Sequence, residues 1–197
     1  MRDELSRLCE RFDPVGLNEL DRFFSTGRWD SPRPGFFPVF YEGYRNSVEV
    51  AAPVCDELGI EAWFLICTAF VDTPVEEQEA FARSHYIGLV AEDLERSGDR
   101  IAMTWGEIAE LSQRHVVTPH TAAHLGINDT HTDEDLEREV ADPKRRMDAV
   151  TGQSAPAFAW LHGSHWGMSE RHDVAVQAAG YRYLISNTSI HHIGTGG

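Results

Sequence analysis

An α/β fold on a mainly parallel sheet or barrel is what this 197-residue chain predicts, and three observations predict it. From residue 36 onward, short apolar runs alternate with amphipathic stretches of helical period. The runs are apolar nearly throughout rather than at every second residue, as in strands covered on both faces. Glu42, Cys67, His120, His124 and His162 each fall just past the end of such a run, where folds of this class place their sites.

The elements follow in order. Residues 3 to 12 and 16 to 24 predict two short helices, with Leu5, Leu8 and Phe12, then Leu17, Leu20, Phe23 and Phe24, at helical spacing. The Pro- and Gly-bearing stretch from Gly27 to Gly35 is a loop or an arm laid across the domain. Residues 1–35 therefore read as a helical arm and 36–197 as the main domain. Phe36 to Tyr41 predicts a buried strand. Asn46 or Ser47 then caps a helix whose Val50, Val54 and Leu58 share one face and which Gly59 stops. Ala62 to Cys67 is a second strand, and residues 74 to 97 are acidic with helical stretches. Met103 and Thr104 open a helix running to Leu111, which leads into a strand at His115–Val117. Asp133 to Val150 predicts a charged surface helix with Leu136, Val140 and Met147 as its inner stripe. A third buried strand covers Ala157 to Leu161, a helix Val174 to Ala179 stops at Gly180, and a last strand runs from Tyr181 to Ser186.

Composition narrows the function classes. An apolar fraction of 42% with five Trp and ten Phe suits a globular chain long enough for a substantial core. The net charge of −15 repels phosphate backbones, so nucleic acid is not an expected partner. No apolar run approaches the length of a bilayer crossing, so no membrane partner is expected. The charged start, Met1 to Leu8, lacks the apolar centre of a secretion signal. Three cysteines, at 9, 55 and 67, form neither a paired framework nor a Cys-x-x-Cys. A cytoplasmic location is the expectation.

The stretch with the most chemistry is Arg114 to His124, in which a short strand turns at Pro119 and presents His120 and His124. Four residues apart on a helical turn, the two share a face and meet one cation. Taken alone, the pair equally fits two unrelated surface histidines. The surrounding segments add to it. Phe40-Tyr41-Glu42-Gly43-Tyr44, Leu58-Gly59-Ile60-Glu61-Ala62-Trp63-Phe64, Met103-Thr104-Trp105-Gly106-Glu107-Ile108, His120-Thr121-Ala122-Ala123-His124, Phe158-Ala159-Trp160-Leu161-His162-Gly163 and Ala179-Gly180-Tyr181-Arg182-Tyr183 resemble, in that order, the polysaccharide deacetylases of carbohydrate esterase family four. The likeness covers roughly residues 36 to 188.

The resemblance implies a distorted, incomplete (β/α) barrel and metal-dependent hydrolysis of an N-acyl C–N bond in a carbohydrate or small metabolite. It implies a divalent metal, most often zinc, with iron, cobalt or nickel as alternatives, held by Glu42, His120 and His124. It places Tyr41 and His162 beside the reaction and Trp160 and Gly163 against the substrate.

The departures from the family pattern are specific. Two successive aspartates stand in the family where this chain has Tyr41 and Glu42. A phenol titrating near pH 10 is no base at neutral pH without a large shift. Tyr41 is left to hydrogen-bond a ligand or simply to pack. His162 replaces a tyrosine, and its imidazole serves as a substitute base, an extra ligand or a plain loop residue; the backbone N–H after Leu161 remains available to an oxyanion. The family's late Leu-x-His segment is missing or compressed, with His191 and His192 at about its place. His85, His131 and His172 read as solvated, His165 as a surface or stacking residue, and Cys67 as buried filler. Two other readings stand beside hydrolysis. Two histidines and a carboxylate are also the ligands of non-haem iron(II) oxygenases, and a relic site would leave a binding or assembly protein, with a homo-oligomer covering the exposed sheet edge.

Overall fold

The computed structural model describes residues 1–90 and 100–194. Helix α1 (Arg2–Arg11) and helix α2 (Leu17–Thr26) flank a two-residue strand β1 (Asp13–Pro14), which pairs in parallel with β2 (Gly35–Phe36). The run expected as one strand from Phe36 to Tyr41 is divided between two sheets. Pro38 has no N–H to give to a ladder; β2 ends before it and β3 (Val39–Phe40) begins after it.

β3, β4 (Trp63–Ile66) and β5 (Val116–Pro119) form a parallel sheet in the order β3-β4-β5. β6 (Ala157–Phe158), β7 (Tyr183–Ile185) and β8 (Ile190–His192) form a second, with β6 and β7 parallel and β7 and β8 antiparallel. Strand β8, antiparallel to β7, lies beyond the last strand expected from the sequence. Among the described residues no sheet closes on itself. The architecture is mixed helix and sheet.

Strands β4, β5, β6 and β7 are buried on both faces, which explains their unbroken apolar runs. Phe64, Ile66 and Val117 point to one side, against Ala52 and Cys55 of α3 (Ala52–Leu58), Ile108 and Leu111 of α6 (Trp105–Leu111), and Met147 of α8 (Asp142–Thr151). Two further short helices, α4 (Thr68–Asp72) and α5 (Gln78–Ser84), lie between β4 and α6. Trp63, Leu65, Val116, Tyr183 and Ile185 point to the other side, where Leu17, Leu20 and Phe24 of α2 pack among them. Asp21 of α2 accepts hydrogen bonds from Tyr183 and Arg182. Helix α2 thus covers the inner face of both sheets.

Helix ends follow their sequence signals. Thr104 caps α6 in a reciprocal box with Glu107, and Thr132 does the same for α7 (Asp133–Leu136) with Asp135. Gly59 closes α3 at φ 66°, a left-handed conformation in which a Cβ is strained. The predicted face of this helix is corrected at Val50, which is 54% exposed; Val54 and Leu58 pack half-buried against the core, with Ser47, Ala51, Ala52 and Cys55 buried beside them. A wide i→i+5 turn over Ser47–Ala51 precedes α3 and rotates the face that follows it. A second wide turn, Glu137–Ala141, joins α7 to α8 and keeps the predicted stripe of Leu136, Val140 and Met147 inside. Helix α9 (Glu170–Ala178) starts earlier than expected, and Val174 lies on its exposed side. Part of the acidic stretch expected to be helical between 74 and 97 lies outside the described residues.

A buried carboxylate and two anchored imidazoles

Each candidate side chain leaves the carboxyl end of a strand. Glu42 follows β3, His120 follows β5, and His162 lies in the turn after β6. The pocket at that end is lined by Tyr41, Glu42, Tyr86, His120, His124, Ala159, Trp160, Leu161, His162, Gly163, Ile185 and Asn187, and has a volume of about 310 Å³. All seven residues singled out from the sequence border it. Cys67, past the end of β4, does not. It is fully buried, its thiol pushed up by burial and donating to Ala122 O at 3.0 Å.

Glu42, His120 and His124 come together, with one ligand atom from each lying within 4.8 Å of the others. Glu42 Oε2 is 3.1 Å from His124 Nε2 and 3.9 Å from His120 Nε2. The far nitrogen of each ring is tied to a backbone carbonyl, His120 Nδ1 to Ala159 O at 2.9 Å and His124 Nδ1 to His85 O at 2.6 Å. A carbonyl only accepts, so both Nδ1 atoms carry protons and, in the neutral rings, both Nε2 atoms present lone pairs. Glu42 Oε2 is buried with no hydrogen bond directed at it, its 3.1 Å neighbour offering contact but not donor geometry. Converging lone pairs on two imidazoles and a carboxylate, with the imidazoles oriented from behind, suit a divalent cation.

Charge and burial act differently on the two rings. Burial holds His120 below the ordinary histidine range, against the pull of Glu42. Burial also disfavours the charged form of His124, but the adjacent Glu42 carboxylate and the His85 carbonyl outweigh it and raise that ring. Tyr41, its ring edge-on to His120 with centroids 5.2 Å apart, is raised by burial and then by Glu42. A phenol held above its usual range stays neutral at pH 7, where it donates a hydrogen bond and is no base.

The two histidines do not share a helical turn. Residues 120–124 form an irregular loop in which Thr121 and His124 have φ of 59° and 57°. Among the described residues, the non-glycine residues with positive φ are Glu42, Tyr86, Thr121, His124 and His162. Each lines this pocket or sits between two residues that do. Such conformations cost of order 1–3 kcal/mol apiece and persist where surrounding contacts impose them. Here Thr121 Oγ1 accepts from Leu125 N at 3.0 Å, Ala69 N donates to Ala122 O at 2.8 Å, and Glu139 accepts from Ala122 N and Ala123 N. Glu139 was not marked by the sequence, where it looks like one more acidic residue on a charged helix.

The opposite wall is built from the β6 and β7 ends. His162 is exposed, with φ 66°. Its carbonyl accepts from Asn187 Nδ2 at 3.2 Å. A Cβ on Gly163 would come within 2.5 Å of the Asn187 side chain, so only glycine fits. Trp160 borders the pocket, yet its ring is 1% exposed and packs edge-on to Phe158 and His172, leaving backbone as its contribution there. Tyr86 stands at the rim, 81% exposed.

The remaining histidines are elsewhere. His191 stacks on Trp166 and His192 on Phe24. His165 bonds Ser186. His131 is exposed as expected, and His85 is half-buried against Phe81. His172, expected to be solvated, is buried between Thr130 and Ser169, because its helix packs on the Thr130 turn, which sequence neighbours do not reveal.

No family model matches the chain, and neither does any curated protein. Solved structures do. The deacetylase PplD of Streptococcus pyogenes, in complex with acetate, matches with a TM-score of 0.71 at 15% identity, over 97% of this chain and 73% of that one. The deacetylase domain of BpsB from Bordetella bronchiseptica matches with a TM-score of 0.69 at 14% identity, over 94% and 76%. IcaB from Ammonifex degensii matches with a TM-score of 0.67 at 17% identity, over 93% and 72%. At these identities the likeness is one of fold. Across nearly its whole length, this chain has the fold of the polysaccharide deacetylases.

Proposed function

We propose that the chain is a divergent, metal-dependent hydrolase that cleaves an amide C–N bond in an N-acylated carbohydrate or small metabolite. The two sheets are read as arcs of an incomplete barrel behind the residue 1–35 arm. The observation that carries the proposal is the convergence of Glu42 Oε2, His120 Nε2 and His124 Nε2, with both Nδ1 atoms held by carbonyls. The fold neighbours, among them a deacetylase with acetate bound, support the reaction class.

Glu42, His120 and His124 would hold a divalent ion, zinc before iron, cobalt or nickel. When bound, that ion supplies Lewis-acid polarisation of the acyl carbonyl and lowers the pKa of a water. The chain's own residues do the rest. His162, exposed at the pocket wall, takes the water's proton and returns it to the leaving amine, the work that neutral Tyr41 is unable to do. Tyr41 donates a hydrogen bond toward the carbonyl oxygen. In the 161–163 turn the Leu161 and Gly163 N–H groups are engaged by Leu125 O and Trp160 O. The His162 N–H is therefore this turn's donor to the oxyanion. Trp160 and Gly163 line the acyl pocket through their backbones.

Purified protein is expected to bind about one divalent ion and to release acetate from an N-acetylated sugar or amine in a zinc-dependent manner. Elemental analysis showing no bound metal after zinc loading overturns the seat. Metal binding with no release across a panel of N-acyl compounds overturns the reaction.

One observation favours a second reading. With Tyr41 neutral in the base position, the ligand set is retained while the proton acceptor beside it is replaced. A two-histidine, one-carboxylate oxygenase has this economy, and oxygen uptake with iron(II) but not with zinc would select it.

A further inference from the structure

We propose that Glu139 is a positioning residue that sets the geometry, and hence the affinity, of the cation seat from behind; this rests on the reading of Glu42, His120 and His124 as ligands. Glu139 is 0% exposed, a buried carboxylate outside the ligand set. Charged groups are rarely fully buried without partners that use the charge. Its partners are specific. Oε2 accepts from Ala122 N at 3.1 Å and Ala123 N at 2.8 Å, and Oε1 accepts from Arg138 Nε at 3.1 Å.

Ala122 and Ala123 are the residues between the two histidine ligands, on a loop bent at Thr121 and again at His124 by left-handed backbone. One carboxylate oxygen gathering two successive N–H groups fixes the direction of the chain between those bends. That in turn fixes the separation of the two imidazoles, whose ring centroids lie 5.0 Å apart. Other bonds hold the ends of the loop through His120 N and Nδ1, His124 Nδ1 and Thr121 Oγ1, or its carbonyls through Thr68 N, Ala69 N and the Cys67 thiol. Among the described residues, only Glu139 is bonded to the Ala122 and Ala123 N–H groups in its middle.

The route by which Glu139 reaches the loop is also unusual. It lies in the wide turn Glu137–Ala141, and it and Val140, next to each other in the chain, are both fully buried. On a regular amphipathic helix, a charged residue beside an inward one faces outward or sideways. The extra residue in the turn carries the carboxylate inward, and turns of this kind recur at functional sites. Hydrogen bonds to an ionised acceptor are roughly twice as strong as neutral ones, which suits a group that has to keep a bent loop in register.

The test measures cation affinity separately from folding. Zinc is titrated into metal-free protein against a chromophoric chelator, and thermal melting is recorded in EDTA. Glu139→Ala is expected to weaken zinc binding roughly 10- to 100-fold and to change the visible spectrum of the cobalt-substituted protein. Glu139→Gln, which keeps an oxygen for the two N–H groups, is expected to recover most of the affinity and the wild-type cobalt spectrum. Should Glu139→Ala fail to fold, Glu139→Asp, one methylene short of both N–H groups, carries the same comparison against Glu139→Gln. Wild-type affinity and an unchanged cobalt spectrum in Glu139→Ala, or in the Asp variant where Ala is unusable, overturn the proposal. So does an equal loss in the Gln variant. Failure of the wild type to bind zinc overturns the ligand reading instead, so the two failures are distinct.

Discussion

The two walls of the pocket are built to different standards. On one, Glu42, His120 and His124 are largely withdrawn from solvent, both imidazoles are tied from behind, and a buried carboxylate braces the loop between them. On the other, His162 is exposed, and it is held through its carbonyl by the Asn187 amide and through the backbone bonds of its neighbours Leu161 and Gly163. On the proposed function, the difference separates holding from reacting. Holding a cation needs fixed lone pairs, which repay strain and burial. Moving a proton needs a group that keeps access to substrate and solvent, which the exposed wall preserves.

The comparison can be broken or sharpened by substitution, beginning with the largest effect. His124→Ala, or His120→Ala, is expected to abolish stoichiometric divalent-ion binding, read by elemental analysis after dialysis; undiminished metal content in either variant would erase the contrast between the walls. His162→Ala should leave metal content unchanged while lowering N-acyl hydrolysis by about 10²- to 10⁴-fold. A parallel fall in metal content would place His162 on the holding wall. Gly163→Ala forces a Cβ against Asn187 on a backbone at φ 66°. A cost of about 1–3 kcal/mol is expected in chemical denaturation, with zinc affinity little altered. Tyr41→Phe should reduce turnover by less than about tenfold, since a neutral phenol contributes a hydrogen bond and not a base.

The smallest effect is on pH dependence, and it comes from outside the pocket. His115, at the start of β5, is held below the ordinary range chiefly by burial, against the pull of Asp56. Unfolding frees it to protonate, so the folded state binds fewer protons. Its contribution is complete above about pH 6.5 and declines as the pH falls through that value. His115→Gln should therefore flatten the stability difference between about pH 7.5 and about pH 5.5 in metal-free protein. An unchanged slope would show that His115 is not a source of it.

What was legible in the sequence was local. Trp63 to Ile66 announced a strand by its own composition, Gly59 and Thr104 announced helix ends, and Glu42 and the histidine pair stood beyond strand ends. The loop form of residues 120–124 was not legible. Spacing by four suggested a helical turn, but the conformation is imposed by Glu139, sixteen or seventeen positions away, and by Thr68 and Ala69, more than fifty positions before it. The burial of His172 depends likewise on Thr130. The motif places Trp160 against the substrate, and it does border the pocket. The alternation of side chains along β6 and the turn after it instead sends its ring to the helix side, beside Phe158 and Tyr181.

Helix α2 gives the molecule a particular order of assembly. The inner faces of both sheets are completed by Leu17, Leu20 and Phe24, and the helix is latched by Asp21 to Tyr183, 162 positions along the chain. A contact of that sequence separation forms late, because the loop it closes carries its entropy cost before any reward arrives. During synthesis, helix α2 waits for the strand β7 before it has its full seat. Until then its apolar stripe is open to solvent. Slowing translation ahead of Tyr183 would lengthen that wait, while the apolar cluster on the other side of the β3-β4-β5 sheet draws its described residues from Leu5 to Ala155.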